Sequence, residues 1–292
     1  MMNRSPIEIL SGRYPQLLLP VKNGMKNTEE YRSAVLRGEP VAGSPDFLTD
    51  PSDSLETVST PAGEVDVLYL FHREDFEHAV RALAYRCEPE LIPLSMGASH
   101  ISGLINWEKI HTHMDAYAAR SDEDETEEFR RFTSDKRNYL DTLVILSSGP
   151  YSAVPAEDMK LDEDEWIRAS CIIRKFHELS HFFSRRLYPE NCEAIRDEII
   201  ADMIGIISAF GRYDVSAARR FLGIEGSSYR DGGRLQNYSG KNDIEAQMAR
   251  ANSIIDELSA GIRGMDSENV FDILDYVEKN KIGALLFPND VV

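Results

Sequence analysis

Two neighbouring stretches constrain this chain most. Over Asp162–Leu187, Trp166, Ile167, Cys171, Ile172, Phe176, Leu179 and Phe183 recur at helical spacing and predict one long amphipathic helix. A second run, from about Cys192 to Phe210, carries Ile195, Ile199, Ile200, Met203, Ile206 and Ile207 and predicts a buried helix. Pro189 separates the two, and the connection Tyr188–Asn191 is short enough to favour antiparallel packing. The second helix also holds Glu198 and Asp202, four residues apart on one face and flanked by isoleucines. Burying unpaired carboxylates is costly, so these two call for cationic or hydrogen-bonding partners.

The first helix supplies them. Phe176-His177-Glu178-Leu179-Ser180-His181 is an HExxH pattern. Histidines four apart on a helix share a face, so both imidazoles can reach one ion at Zn–N distances of about 2.0–2.1 Å. Glu178 projects to the side, poorly placed as a ligand but well placed to take a proton from an activated water. A catalytic zinc site usually has three protein ligands, and the neighbouring helix offers Glu198 as the third. The expected cofactor is one Zn²⁺ per chain.

HExxH followed on the next helix by ExxxD resembles the gluzincin metallopeptidases, of which the thermolysin type is best known. The matching stretch is 177–202, under a tenth of the chain. The resemblance implies His177, His181 and Glu198 as metal ligands and Glu178 as general base. It also implies that Asp202 orients His177, and that Asp197, where the family often has Asn, supports His181. The family pairs extended substrates with an edge strand ahead of the HExxH helix; Leu140–Ser147 is the candidate here, an ordinary core strand being the equal alternative. Thermolysin-like enzymes use a later histidine to stabilise the oxyanion, and no histidine follows His181. Tyr229, Arg230, Arg234 and Tyr238, in a Gly-rich stretch over Gly223–Gly240, are the possible transition-state donors in its place.

The rest of the chain predicts an α+β fold, with a mainly helical C-terminal half, a zincin-like helix pair and a short β-sheet before it. Val65–Phe71 and Leu140–Ser147 are the strands; Arg73–Arg86, Asn106–Arg120, 242–260 and 268–279 are further helices. Residues 1–64, punctuated by Pro40, Gly43, Pro45, Pro51 and Pro61, predict loops and short helices with little regular structure. The expected organisation is a loop-rich segment 1–64, a small α/β region 65–135 and a metal-binding region 136–292, with one continuous domain over the last two as the alternative.

Other signals count for less. Glu108-Lys109-Ile110-His111 is a second ExxH, which could belong to a di-metal carboxylate bundle; His111 and His113 fit ordinary surface histidines better. Ser95–Gly103 suits a tight turn or close packing better than an anion-binding loop, since no phosphate-loop signature is present. The acidic run Asp122–Glu128 fits a solvated loop or helix end. Cys87, Cys171 and Cys192 form no CxxC pair and suggest neither a cysteine zinc site nor a disulfide framework. A net charge of −18 without a basic stripe speaks against nucleic-acid binding. The apolar runs are too short to span a bilayer, and no signal-peptide pattern opens the chain, so a soluble, cytoplasmic protein is expected. The expected function is zinc-dependent hydrolysis of a peptide or amide bond, with a peptide or protein as substrate. The alternative is a non-catalytic protein in which metal holds two helices together.

Overall fold

The computed structural model describes residues 4–42, 47–94, 96–121, 124–238, 243–265 and 269–284. The chain divides into two units, Met1–Val58 with Val65–Ser148, and Ser59–Glu64 with Gly149–Val292. The architecture is α+β, with a four-stranded mixed sheet ahead of a helical C-terminal half. No helix among the described residues is long and apolar enough to cross a membrane.

In chain order the first unit holds helices α1 (Pro6–Arg13) and α2 (Glu29–Arg37) and strands β1 (Ser54–Thr60) and β2 (Gly63–Leu70), the β1–β2 tip belonging to the second unit. Then follow α3 (Arg73–Leu83), β3 (Ala98–Ile105), α4 (Trp107–Ala118), α5 (Glu125–Ser134) and β4 (Leu140–Ser147). The sheet order is β1-β2-β4-β3; β4 runs parallel to β2, with Val67 beside Val144, and antiparallel to β3, with Ile101 beside Leu143. Strand β4 is therefore interior, its backbone groups used on both sides, and it offers no free edge to a substrate. Its burial says the same: Leu143, Val144, Ile145, Leu146 and Ser147 are all buried, whereas a one-sided strand would alternate. It lies in the first unit, not with the helix pair.

The N-terminal stretch is more ordered than its composition suggests. Ser5 and Glu8 form a capping box on α1, Thr28 caps α2, and Gly38 takes the left-handed conformation after it. Leu10, Tyr14, Leu17, Leu19 and Met25 are fully buried and join Leu68, Leu70, Phe76 and Val80 in one apolar core. The stretch around Ser95–Gly103 is also not a turn. Ser95 lies outside the described residues, and Ala98–Ile105 forms β3. Its small residues weaken the strand signal, and a bulge at Ser102–Leu104, where Gly103 has φ 80°, interrupts the alternation. In the acidic run, Asp122 and Glu123 lie outside the described residues, as do Gly43 and Pro45 of the N-terminal stretch. Asp124 caps α5, and Glu128 is buried between Arg131 and His113.

The second unit contains α6 (Ala156–Met159), α7 (Glu163–Leu187), α8 (Ala194–Phe210), α9 (Val215–Leu222), the hairpin β5 (Ile224–Glu225) and β6 (Ser228–Tyr229), α10 (Ile244–Gly261) and α11 (Val270–Lys279). Asp162 starts α7 with a capping box to Glu165, and Pro189 follows its end. Helix α8 is buried along most of its length, with α7, α9, α10 and α11 all packed on it. A fully buried ion pair, Arg196 Nη1 to Glu278 Oε2 at 2.9 Å, ties it to α11. The α7–α8 pairing is antiparallel: Glu198 faces His181 and His177, Asp202 faces His177, and Gly205 faces Ile173. Helix α9, within a stretch of mixed composition, is an element that sequence patterning passed over.

Gly205 sets how closely these helices approach. A Cβ built there would stand 2.7 Å from the Ile173 carbonyl oxygen, a backbone atom that cannot swing aside. Ala would normally gain about 1 kcal/mol over Gly in a helix interior. Gly205→Ala is expected instead to destabilise the fold by about 1–3 kcal/mol through overpacking, read as a lower denaturation midpoint. A midpoint at or above the wild-type value would show that the helices have room to spare.

Candidate metal centre

Three side chains converge where α7 and α8 cross. His177 Nε2 lies 3.1 Å from His181 Nε2 and 3.4 Å from Glu198 Oε2, and His181 Nε2 lies 3.4 Å from Glu198 Oε1. The histidines are 7% and 6% exposed. Ligands held tetrahedrally at about 2.0–2.1 Å from one zinc ion stand roughly 3.3–3.4 Å from each other. The two nitrogens and the carboxylate, which turns one oxygen to each histidine, thus stand at about the spacing that ligands of one ion keep, one ligand atom from each residue lying within 4.8 Å of the others. Two imidazoles and one carboxylate are a donor set that zinc uses, so the residues brought together here fit a divalent ion.

Protons in the surrounding network point the same way. His177 Nδ1 lies 2.9 Å from Asp202 Oδ1, so it is held as a donor, and in the neutral ring the lone pair is then on Nε2, facing His181 and Glu198. Tyr151 Oη donates to the same Asp202 oxygen at 2.6 Å and stands 3.0 Å from His177 Nδ1. Arg234 donates from Nη2 to Asp202 Oδ2 at 2.6 Å and from Nη1 to Tyr151 Oη at 2.8 Å. Tyr238 Oη donates to Glu198 Oε2 at 2.8 Å. With neutral imidazoles, Glu198, Asp202 and Arg234 together leave one negative charge, which favours a cation there.

The acidities follow from this crowding. Burial works against charge on His177, yet hydrogen bonds and attraction from Asp202 and Glu198 outweigh it and push its pKa up to about 10. Burial alone would raise Glu198; the two histidines and Arg234 override it and hold the carboxyl well below its usual range. Asp202 is likewise held down, against burial, by Arg234 and His177. Burial drives the Tyr151 hydroxyl far above its ordinary value, so it stays a donor, and it raises Tyr238 as well.

The residues singled out by sequence reach this point unequally. His177, His181, Glu198 and Asp202 are brought together. Glu178 is half-buried, and no ion pair or hydrogen bond engages its carboxylate among the described residues. Asp197 accepts from no group on His181; its Oδ1 is buried without a partner, and burial raises its pKa. Of the four possible donors, Arg234 and Tyr238 arrive, both from the end of the Gly-rich segment. Tyr229 and Arg230 do not. The β5–β6 hairpin, turning at Gly226, folds Tyr229 back to donate to the Gly233 carbonyl, and Arg230 faces Glu225 at 3.9 Å. The second ExxH is elsewhere: Glu108 pairs with Arg13 in the first unit, His111 is exposed against Trp107, and no metal-type cluster forms around them among the described residues. Tyr151 escaped sequence reasoning, because a lone tyrosine in the turn after a strand carries no motif.

A buried pair of histidines and a carboxylate, carried on two antiparallel helices, marks this as an α+β protein with a metal-type ligand set. The chain belongs to a family of unknown function, DUF7005, whose pattern matches residues 2–283. No curated protein and no solved structure matches it.

The raised His177 pKa has a measurable sign. A proton bound more tightly in the folded state stabilises the fold fully below the ordinary histidine value of about 6.5, and that stability is lost as pH rises through the folded value. The metal-free protein should therefore lose thermal stability between pH 6.5 and about 10, relative to a His177→Gln variant measured alongside. Saturating zinc, which takes the proton's place, should flatten this difference. An identical pH profile for wild type and variant without metal would remove the assigned His177 pairing.

Proposed function

We propose that this protein is a zinc-dependent hydrolase, acting on a peptide or other amide bond. The observation that carries this reading is the convergence of His177 Nε2 and His181 Nε2, 3.1 Å apart, on the Glu198 carboxylate, one oxygen 3.4 Å from each. Zinc held there supplies a Lewis acid and lowers the pKa of a bound water to about 7. His177 and His181 from α7 and Glu198 from α8 hold the ion, and Asp202 holds His177 in the tautomer that can ligate. Glu178, beside His177 and with its carboxylate not engaged by the described residues, takes the proton from the water and carries it to the leaving amine. Arg234 and Tyr238 place positive charge and a hydroxyl donor beside the ligand carboxylate.

One observation favours a second reading. The near-complete burial of both histidines is also what a metal staple between α7 and α8 would produce, with the ion serving stability alone. The ligands are common to both readings, so metal content tests them first. Purified protein should carry about one zinc per chain, and His177→Ala, His181→Ala or Glu198→Ala should lose most of it while His111→Ala keeps it. Equal metal content throughout would end both readings.

Glu178 separates the two. Glu178→Gln keeps size and hydrogen-bonding capacity but removes the base, and loss of a general base costs about 10²–10⁴-fold in rate. In a peptide-library digest, the variant should retain zinc and melting temperature and lose turnover by that factor. Cleavage at equal rates in wild type and variant would overturn the assigned chemistry, and a zinc-loaded wild type with no turnover would favour the staple.

A further inference from the structure

The turn that follows β4 is built with more care than a simple connection requires. Tyr151 is 5% exposed, and its backbone N–H donates to Ser170 Oγ at 2.9 Å, a side chain fully buried on α7. Arg174, one turn along α7, donates to the carbonyls of Gly149 at 2.7 Å and Pro150 at 2.8 Å. Trp166 Nε1 donates to the Val154 carbonyl at 2.7 Å. Between these anchors, Ser152 and Ala153 stand at φ 51° and 55°, a region that residues other than glycine enter at a cost. Three side chains of the HExxH helix thus hold a strained turn that buries the Tyr151 ring. That ring packs edge-on to Phe221, with centroids 4.9 Å apart.

The hydroxyl completes a chain of hydrogen bonds with a single direction. Tyr151 Oη has three neighbours: Arg234 Nη1 at 2.8 Å, Asp202 Oδ1 at 2.6 Å and His177 Nδ1 at 3.0 Å. Arg234 can only donate, so it occupies an acceptor site on the hydroxyl. The hydroxyl has one proton. With His177 Nδ1 protonated, that proton goes to Asp202 Oδ1, which then accepts from tyrosine and histidine together. In the opposite tautomer, the bare Nδ1 would face the Asp202 carboxylate at 2.9 Å and gain only a proton taken away from it. Arg234, Tyr151 and Asp202 therefore discriminate between the two tautomers of His177, and only one of these leaves Nε2 free to bind an ion.

We propose that Tyr151 is a positioning residue of the metal centre: through Asp202 and Arg234 it fixes the orientation and tautomer of His177. This rests on the reading of His177, His181 and Glu198 as ligands of a divalent metal. Tyr151 does not touch the ion or a substrate. Its place is one shell behind, in a turn held by the same helix that carries two of the ligands.

The test uses the full chain with Zn²⁺ and Co²⁺ as probes and needs no substrate. Zinc affinity is measured by competition with a chromogenic chelator, and the cobalt-loaded protein is followed by its visible absorption bands. Tyr151→Phe keeps the ring and its packing on Phe221 but removes the hydroxyl. It is expected to weaken zinc binding about 10–100-fold and to shift the position or intensity of the cobalt bands. Tyr188→Phe is the control. It removes a tyrosine hydroxyl donated to Asp275 in the same unit, and should leave affinity and spectrum unchanged. If Tyr151→Phe does not fold, Ser170→Ala, which releases the Tyr151 backbone anchor, should move both readouts in the same direction by a smaller amount. Wild-type affinity and wild-type bands in Tyr151→Phe, or in Ser170→Ala where it is needed, would reduce the turn to packing and overturn the proposal. If the wild-type protein itself takes up neither ion, the ligand assignment falls and this inference with it, an outcome distinct from a variant that behaves like wild type.

Discussion

The second unit depends on how closely α7 and α8 approach. At Gly205 the α8 backbone comes so near the Ile173 carbonyl that no Cβ could stand between them. Interaxial distance in helix packing is set by the side chains at the contact, and glycine permits the closest approach. Because the pairing is antiparallel, that single contact fixes the register of everything along the seam. One turn from it His177 meets Asp202, and one turn further His181 meets Glu198. A wider spacing would leave the same residues facing each other with their ligand atoms too far apart for one ion.

Placing polar groups in that seam has an energetic consequence. Charges taken out of water are costly unless paired and hydrogen-bonded. The protein meets this by surrounding two carboxylates: Arg234, Tyr151 and His177 donate to Asp202, and Tyr238 donates to Glu198, which both histidines approach to 3.4 Å. Those donors come from separate segments, so the centre is a tertiary object. The two helices supply the histidines and carboxylates, while the turn at 149–153 and the segment at 234–238 bring Tyr151, Arg234 and Tyr238 to them.

Where sequence reasoning left two readings open or went astray, the reason was long-range pairing. Leu140–Ser147 is a strand, as its composition indicates, but its place between β2 and β3 depends on partners far earlier in the chain. Its unbroken apolar run did carry a trace of that fate, since strands buried on both faces lack alternation. Leu17, Leu19 and Met25 sit in a stretch whose prolines and glycines suggest loops, yet all three are core residues. Turn-forming composition governs the local backbone and says little about what a side chain meets. Tyr229 and Arg230 share a Gly-rich stretch with Arg234 and Tyr238. Only the hairpin ahead of them determines which pair turns inward.

What the sequence determined by itself is the local part of the centre. Helical periodicity of about 3.6 residues puts His177 beside His181 and Glu198 beside Asp202, because neighbours four apart share a face whatever the rest of the chain does. The short connection after Pro189 made antiparallel contact between those helices the favoured arrangement. Tertiary structure decided the rest: that Gly205 allows the approach, that Tyr151 and Arg234 close the network behind His177, and that Asp197 Oδ1 is left buried without a hydrogen-bond partner. These depend on distances between segments remote in sequence, and such distances emerge only when the segments pack against one another.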